Sequence, residues 1–321
     1  MNKDSKIFVA GSTGMVGSAI VRNLLNNGFT RIIGTFHSKK PILADGVTYS
    51  KLNLLNQNEV EAFFNLEKPD FVFDAAAKVG GIVANSTYRA QFLYENLQIQ
   101  NNIIHNAYLA GVKKMLFLGS SCIYPKNCPQ PIKEDYLLTD ILEYTNEPYA
   151  IAKIAGLKMC ENYNLQYGTN YIAAMPTNLY GPNDNYDLQT SHVLPALIRK
   201  FHEAKMNGST NVTIWGTGSP LREFMHVDDL AAACVYLMEN YDGNKFVNIG
   251  WGKDLTIKDL ALLIKDVVGF AGELVFDTSK PDGTARKLLD VSLLNSLGFT
   301  PSISLKDGIE NAYADFLTKF S

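Results

Sequence analysis

The sequence predicts an α/β protein whose larger part is a doubly wound parallel sheet, and two observations lead to that fold class. Short apolar runs alternate with amphipathic stretches from the start of the chain to about residue 176, which is the pattern of parallel strands joined by helices. A glycine-rich turn at residues 11–17 separates the first apolar run from the first amphipathic stretch, as it does in Rossmann-like sheets.

The elements of this part follow one another in a regular order. Short apolar runs predict strands at residues 6–10, 31–36, 71–76, 114–119 and 171–175. Helical spacing of apolar residues predicts helices at residues 18–26, 56–66, 88–110 and 149–167. Because right-handed crossovers bring the carboxyl ends of parallel strands to one edge of the sheet, we expect ligands to bind along that edge.

After residue 176 the pattern changes. A loop at residues 181–187 precedes a predicted helix at about 193–204, and Gly- and Pro-containing turns at 216–220 and 280–283 separate shorter elements. The sequence contains no internal repeat and no low-complexity linker, so we expect the two parts to share one interface that contains the binding cleft.

These changes of pattern divide the chain into two predicted domains. We place a nucleotide-binding domain at residues 1–178, and we expect about residues 225–250 to return to it. A smaller α/β substrate domain is predicted at residues 179–321.

The composition argues against several classes of partner. The chain has 321 residues, of which 46% are hydrophobic and 19% are charged, and a formal net charge of −3. Such a charge gives no electrostatic reason to bind nucleic acid or an anionic membrane. Residues 1–5 are polar and an apolar strand follows them at once, so we expect no signal peptide, and no apolar run reaches the length of a membrane span.

The cysteines and histidines indicate a cytoplasmic protein without a metal. The four cysteines, Cys122, Cys128, Cys160 and Cys234, include no Cys-x-x-Cys pair, and a few free thiols in a chain of this size fit a reducing compartment. The five histidines show no ligand spacing with the cysteines, so no metal is implied.

The glycine turn has the features of a dinucleotide site. Glycines at this spacing allow a tight turn, a close approach of the backbone to a pyrophosphate and close packing of helix on strand. The helix N-terminus then offers N–H groups and a positive dipole end to the phosphates. The predicted cofactor contacts in this turn are Gly11, Ser12, Thr13, Gly14, Met15, Val16 and Gly17.

The end of the second strand favours NADP over NAD. NAD-binding proteins usually place an Asp or Glu there for the adenosine ribose, whereas residues 35–40 contain no acid and carry His37, Lys39 and Lys40. A carboxylate would repel the 2′-phosphate of NADP and a lysine would attract it. The alternative is that these lysines belong to a solvated loop.

Tyr149 and Lys153 form a Tyr-x-x-x-Lys pair at the start of a predicted helix. One helical turn separates them, so both side chains can face one cleft. Because a nearby ammonium favours the phenolate, we expect a lowered pKa for Tyr149 and a role as proton donor to a reduced carbonyl, with Ser120 sharing a hydrogen bond. A second such pair, Tyr241 and Lys245, encloses an Asp-Gly turn and cannot offer the same helical geometry.

Cys122 follows Ser120 by two residues and adds a group that a plain reductase does not need. A thiol can act as a base towards a carbon-bound proton once its pKa falls from about 8.5 toward neutrality. A nearby imidazolium or a helix dipole would lower that pKa, and apolar burial would raise it. The alternative is a small core residue.

Together these motifs resemble the extended short-chain dehydrogenase/reductase family, and the resemblance runs nearly from end to end of the chain. Within that family, the chain is similar to the enzymes that epimerise and reduce GDP-4-keto-6-deoxy-D-mannose. The segments that carry this likeness are residues 75–85, 119–125, 145–156, 175–182, 191–193, 222–224, 226–229 and 279–290. Residues 37–50 depart from it, because we expect them to form a longer connection than the family has.

The resemblance implies conversion of GDP-4-keto-6-deoxy-D-mannose to GDP-L-fucose, by epimerisation at C3 and C5 followed by NADPH-dependent reduction at C4. It makes Cys122 the base and His192 the acid of the epimerisation. It assigns the reduction to Ser120, Tyr149 and Lys153. Two alternatives stay open, namely another nucleotide-sugar epimerase or dehydratase of the family and a non-catalytic NADP-binding protein.

The resemblance also implies a homodimer and a set of binding residues. Further cofactor contacts are assigned to His37, Lys39, Asn53, Ala76, Lys153, Pro176, Asn178, Leu179 and His192. Contacts with the GDP-sugar are assigned to Asn178, Lys200, Trp215, Arg222, Lys280 and Asp282. Arg222 suits a diphosphate because its planar fork makes paired hydrogen bonds, whereas the alternative for Lys200 and Lys280 is a solvated surface charge.

Overall fold

The structure is a computed structural model that describes residues 1–38, 41, 43–280 and 282–320. Strands and helices alternate in the first part, in the order β1 (Ile7–Ala10), α1 (Met15–Asn26), β2 (Ile32–Phe36), β3 (Val47–Lys51), α2 (Gln57–Glu67), β4 (Phe71–Asp74), α3 (Ile82–Thr87), α4 (Arg89–Leu109), β5 (Lys114–Leu118), α5 (Glu147–Tyr167) and β6 (Tyr171–Pro176). The second part continues with β7 (Asn178–Tyr180), α6 (Val193–Met206), β8 (Asn211–Trp215), β9 (Leu221–His226), α7 (Val227–Asn240), β10 (Val247–Ile249), β11 (Asp254–Thr256), α8 (Ile257–Val268), β12 (Glu273–Asp277), β13 (Arg286–Lys287), α9 (Ser292–Ser296) and α10 (Leu305–Phe320).

Seven strands form one parallel sheet in the order β10-β6-β5-β4-β1-β2-β3. In its middle, Val9 of β1 lies opposite Gly34 of β2 on one side and Phe73 of β4 on the other. The direction of winding reverses between β1 and β4, and sheets of this kind bind ligands in the crevice at such a reversal. The doubly wound, Rossmann-like fold class is confirmed.

Helices cover both faces of this sheet, and each face has its own core. Helices α1 and α7 pack together on one face, and α2, α4 and α5 cover the other. Because successive strand residues point to opposite faces, Leu116 of β5 belongs to the first core and its neighbour Phe117 to the second.

The second part contains two smaller sheets and a third core. Strand β9 lies between β11 and β13 and also pairs with β7, whereas β8 pairs with β12. Phe201 of α6, Ile264 of α8 and Phe316 of α10 belong to the core beside these sheets. The chain crosses between the two parts more than once, because α7 packs on α1 and β10 pairs with β6.

Several element bounds differ from the prediction, since α1 begins at Met15 rather than at residue 18 and β4 ends at Asp74 rather than at residue 76. Residues 47–51, which the sequence placed largely in a loop, form the edge strand β3 in parallel with β2. Its alternation of Val47 and Tyr49 with polar residues suits an edge strand, and a search for continuous apolar runs misses such a pattern. Helix α5 begins at Glu147 with Pro148 in its first turn, before the predicted start at residue 149. Within the described residues, no helix has the length and apolar character needed to cross a membrane.

Candidate active site

The turn after β1 is shaped for a close approach to the backbone. Gly11 has a φ of +72°, and a Cβ there would lie 2.9 Å from the Cα of Ala76, so glycine is required at this point. A Cβ at Gly17 would overlap the carbonyl oxygen of Gly11, which means that α1 packs directly on the turn. Gly14 caps α1 without a side-chain hydrogen bond, so N–H groups of the first helical turn are free for a ligand. The turn therefore fits the pyrophosphate of a dinucleotide.

The other residues predicted to bind the cofactor near its adenosine end have different surroundings. Ser12 is 2% exposed, and its hydroxyl donates to the backbone oxygen of Thr35 at 3.0 Å, so it ties the turn to β2. Asn53 has a local role, because its Oδ1 accepts a backbone N–H two residues later. His37 is exposed just beyond the end of β2, and Lys39 lies outside the described residues.

The remaining predicted cofactor contacts lie at or near the carboxyl ends of strands. Ala76 follows β4, and Pro176 is the buried last residue of β6. Leu179 lies in β7 and packs against the first core. The side-chain amide of Asn178 donates to the backbone oxygen of Glu223 at 2.8 Å, which joins β7 to β9. Thr13 lies in the glycine turn, and Met15 and Val16 begin α1.

Helix α5 places Tyr149 and Lys153 one turn apart beside the end of β5. Lys153 is 3% exposed, and its Nζ donates to the backbone oxygen of Leu118 at 2.8 Å. The same Nζ lies 4.7 Å from the ring centroid of Phe117 and 5.9 Å from that of Tyr149. Phe92 of α4 packs edge-on against the Tyr149 ring. The pair is thus held by α4, α5 and β5 together.

Burial decides the protonation of this pair. It raises the pKa of the Tyr149 phenol, and the neighbouring Cys122 thiol raises that pKa further. The lowered pKa that the sequence predicted from the Lys153 ammonium is therefore wrong. Burial lowers the pKa of Lys153, whereas the charges of Asp74 and then Cys122 raise it. At neutral pH the Tyr149 phenol keeps its proton, as a proton donor must.

Ser120 and Cys122 are fixed relative to each other at the end of β5. Ser120 caps a short 3-10 helix, Ser121–Ile123, and its Oγ accepts the N–H of Cys122 at 3.3 Å. Cys122 is 8% exposed. Burial raises the pKa of its thiol, and the ammonium of Lys287 is the strongest influence in the opposite direction. The raised pKa is contrary to the shift that a basic role requires, so the thiolate depends on its charged neighbours.

His192 stands at the N-cap of α6 and is accessible to solvent. Desolvation by the protein around it, and then the Lys287 ammonium, lower its pKa. The imidazole is therefore mostly neutral at pH 7. The Lys287 ammonium therefore influences the protonation of both Cys122 and His192.

Lys287 is a residue of this site that the sequence analysis did not single out. It lies in β13 directly opposite Arg222 of β9. Burial lowers the pKa of Lys287, and the Cys122 thiol is the strongest influence that raises it. The pairing of two distant strands brings Lys287 here, and its place within residues 279–290 was the signal in the sequence. Two adjacent cations suit a diphosphate.

The remaining predicted substrate residues fall into two groups. Trp215 is 63% exposed, and the Nζ atoms of Lys200 and Lys280 lie 5.6 and 5.7 Å from its ring centroid, so they form one exposed platform. Asp282 instead accepts the backbone N–H and the hydroxyl of Thr217, at 2.9 and 2.7 Å. Its carboxylate therefore joins two loops of the second part.

The edge that carries the glycine turn thus gathers several groups that can move protons. They are the phenol of Tyr149, the ammonium of Lys153 and the thiol of Cys122, and the start of α6 adds the imidazole of His192. Such a set can act at a carbonyl and at the carbon next to it. Among the described residues, no three His, Cys, Asp or Glu side chains are grouped to hold a metal ion.

Comparison with known proteins agrees with this geometry. A model of the NAD dependent epimerase/dehydratase family matches residues 7–250. A putative GDP-L-fucose synthase 2 of Arabidopsis thaliana is 60% identical over 317 residues, which cover 99% of this chain and 93% of that protein. The GDP-L-fucose synthase of Escherichia coli (strain K12) is 51% identical over 321 residues, covering 97% of this chain and 96% of that one. A solved GDP-mannoheptose C4 reductase from Campylobacter jejuni with NADP bound aligns with a TM-score of 0.88 at 43% identity, covering 99% of both chains. The resemblance seen in the sequence is confirmed, and this chain belongs to the NAD dependent epimerase/dehydratase family.

Proposed function

We propose that this protein converts GDP-4-keto-6-deoxy-D-mannose to GDP-L-fucose by epimerisation at C3 and C5 and NADPH-dependent reduction at C4. The identities of 60% and 51% to two proteins named GDP-L-fucose synthase support the substrate. The observation that carries the reaction is the Cys122 thiol, held beside Ser120 at the end of the strand that also anchors Lys153. A plain ketone reductase has no use for a thiol at this place.

NADP is the cofactor of the proposed reaction. The glycine turn and the free N–H groups of α1 would hold its pyrophosphate, and the absence of an acid in residues 35–38 leaves room for a 2′-phosphate. The related C4 reductase with NADP bound supports this choice. When bound, NADPH supplies the hydride that is added to C4, and Lys153 would hold the nicotinamide ribose.

Cys122 and His192 carry out the epimerisation in this proposal. The C4 carbonyl makes the C–H bonds at C3 and C5 acidic, so the Cys122 thiolate can remove a proton and leave an enolate. The minor fraction of His192 that is protonated at pH 7 returns a proton to the opposite face of the carbon. After each inversion the thiol has gained a proton and the imidazole has lost one, so both must exchange with solvent, to which His192 is open.

Tyr149, Lys153 and Ser120 carry out the reduction in this proposal. As the C4 carbon is reduced, its oxygen gains negative charge and takes the phenolic proton of Tyr149. Burial makes the resulting phenolate unfavourable, and the ammonium of Lys153 reduces that penalty. The hydroxyl of Ser120 donates a hydrogen bond to the same substrate oxygen.

We further propose a cytoplasmic homodimer with an NADP-binding domain at residues 1–178, joined by about 225–250, and a nucleotide-sugar domain at 179–321. The pairing of β10 with β6 supports this division. The four free cysteines support a reducing compartment. Exposed apolar side chains on α4 and α5 support a dimer, and they are Tyr94, Leu109, Ile151, Leu165 and Tyr167.

Product analysis in deuterated water tests the proposed function. Wild-type protein is given GDP-4-keto-6-deoxy-D-mannose and NADPH, and the product is followed by NMR and mass spectrometry. We expect NADPH oxidation and GDP-L-fucose that carries deuterium at C3 and C5. NADPH oxidation without deuterium would mean a simple ketone reductase, and no reaction would mean that the substrate assignment is wrong.

A further inference from the structure

Asp74 is a buried acid that the proposed chemistry does not use. It is the last residue of β4 and is 1% exposed. Its Oδ1 accepts the N–H of Ala76 at 3.2 Å, whereas its Oδ2 has no hydrogen-bond partner among the residues that the structure describes. A carboxylate oxygen left unpartnered in a protein interior is unfavourable, so this position needs a compensating reason.

The register of the sheet places Asp74 on the face of the sheet that Lys153 covers. Strands β4 and β5 pair so that Asp74 lies opposite Phe117, and residues paired in this way point to the same face of a sheet. On that face the Lys153 Nζ lies over the Phe117 ring and donates to the carbonyl of the next residue, Leu118. The carboxylate and the ammonium therefore lie over adjacent strands, which are about 4.8 Å apart.

Among the described residues, Lys153 is the cation whose charge acts on this carboxylate. Helix α5 also presents Cys160, whose thiol stays neutral because burial raises its pKa. Helix α4 presents the neutral amide of Gln100, whose Oε1 is likewise unpartnered among the described residues. On the other side of Lys153, the 3-10 helix presents the Cys122 thiol. Near neutral pH the carboxylate of Asp74 is thus the negative charge that most strongly favours the ammonium form of Lys153.

The protonation of the two groups agrees with this geometry. Burial raises the pKa of Asp74 to about 6, and Lys153 acts against that rise, so the acid is ionised at neutral pH. Burial lowers the pKa of Lys153, and Asp74 is the strongest of the influences that raise it. Without a counter-charge, a desolvated lysine loses its proton readily, and a neutral amine cannot stabilise a phenolate.

We propose that Asp74 is a positioning residue for Lys153, whose buried carboxylate keeps the ammonium charged and in place beside Tyr149. The catalytic effect of Asp74 rests on the proposed function, because the Lys153 ammonium stabilises the Tyr149 phenolate in the proposed reduction. This role explains why Oδ2 has no hydrogen-bond partner among the described residues. A donor at Oδ2 would weaken the electrostatic attraction between the carboxylate and the Lys153 ammonium.

A titration without substrate tests the proposal directly. Protein labelled with ¹³C at lysine Cε is titrated by NMR, and the Lys153 signal is assigned by its loss in Lys153→Met. In Asp74→Asn we expect the pKa of Lys153 to fall by about one unit or more. Asp184→Asn is the matched control. Asp184 also has a buried Oδ2 without a partner among the described residues, and burial raises its pKa to about 7. The charges that act on it are those of Lys319 and Asp315 rather than that of Lys153. An unchanged Lys153 titration in Asp74→Asn, or an equal shift in the control, would overturn the proposal.

Kinetics then separate positioning from a structural role. In Asp74→Asn the alkaline limb of the pH profile for NADPH oxidation should move down by about one unit. Deuterium entry at C3 and C5 should fall less, because Lys287 influences the Cys122 thiol more strongly than Lys153 does. Asp74→Glu, which keeps the charge, should restore the wild-type limb. Equal losses of reduction and exchange, or failure of both variants to fold, would make Asp74 structural. If wild type shows neither activity, the proposed function fails, and the NMR titration still decides the role of Asp74.

Discussion

Lys287→Met removes the ammonium that acts most strongly against burial at the Cys122 thiol. Methionine keeps the length and the apolar stem of lysine, so the pairing of β13 with Arg222 should persist. A charge within about 4–6 Å shifts a pKa by about 1–3 units. Below the pKa of the thiol, each unit lowers the thiolate fraction about tenfold. We therefore expect the thiolate fraction at pH 7 to fall by about tenfold or more. Epimerisation should slow by less than this, because Lys287 also lowers the pKa of His192 and its removal raises the protonated fraction of the imidazole.

The assay is the rate of deuterium entry at C3 and C5 between pH 6 and 10. Epimerisation needs the thiolate and a protonated His192 together, so the rate falls at high pH once the thiol is fully ionised. In Lys287→Met this alkaline limb should move to higher pH, because without the ammonium the pKa of the thiol is higher. Arg286→Met is the matched control. It removes a cation from the neighbouring position of β13, where the guanidinium pairs with Asp254 at 2.6 Å, and it should leave the pH profile unchanged. A loss in Lys287→Met with the alkaline limb at the wild-type pH would refute the electrostatic reasoning and make Lys287 a binding residue alone.

Three further predictions concern the glycine turn, the end of β2 and the buried acid. Gly17→Ala forces a Cβ against the Gly11 carbonyl oxygen and should destabilise the protein by about 1–3 kcal/mol. In Gly14→Ala the new Cβ lies 3.4 Å from the same oxygen, so the free energy of unfolding measured with denaturant should change little. His37→Asp adds a carboxylate near the expected 2′-phosphate and should weaken NADPH binding roughly tenfold relative to NADH in fluorescence titrations. The pKa of Asp74 is raised from 3.8 to about 6, so this carboxyl group ionises at a lower pH in the unfolded chain than in the folded one. The stability of the wild type should therefore fall by about 2 kcal/mol from pH 4 to pH 6. Asp74→Asn has no carboxyl group at this position. Its free energy of unfolding, measured with denaturant at pH 4 and pH 6, should therefore not show this part of the decrease.

Each of these has a contrary outcome. Equal stabilities of the two glycine variants would mean that the turn can move away from α1. An unchanged NADPH to NADH preference in His37→Asp would place the 2′-phosphate elsewhere. The same pH dependence of unfolding in wild type and Asp74→Asn would show that the carboxyl group is ionised in the folded state at an ordinary pKa.

The order of strands and helices could be predicted because it depends on local patterns. Apolar runs identified β1, β4 and β5, and the glycine spacing at residues 11–17 identified the turn whose tight packing the structure shows. The sequence analysis did not predict strand β3, because an edge strand carries alternating rather than continuous apolar residues. The proximity of Tyr149, Lys153 and Ser120 also followed from short-range spacing together with the rule that parallel strands share a carboxyl edge.

The electrostatics of the site could not be predicted from the sequence, because they depend on which distant residues bury or face each group. The sequence offered Lys153 as a reason for a lowered Tyr149 pKa, yet burial is stronger and raises it. The pairing of β13 with β9 brings Lys287 into the surroundings of Cys122, and the pairing of β4 with β5 places Asp74 on the face that Lys153 covers. No local spacing in the sequence signals either arrangement.

The measurement that tests the mechanism most directly compares Cys122→Ser and Tyr149→Phe with wild type, on GDP-4-keto-6-deoxy-D-mannose and NADPH in deuterated water. If one site performs both steps, Cys122→Ser should lose deuterium entry at C3 and C5, whereas Tyr149→Phe should keep it and lose NADPH oxidation. If Cys122→Ser incorporates deuterium at the wild-type rate, the thiol is a packing residue and the proposed base is wrong.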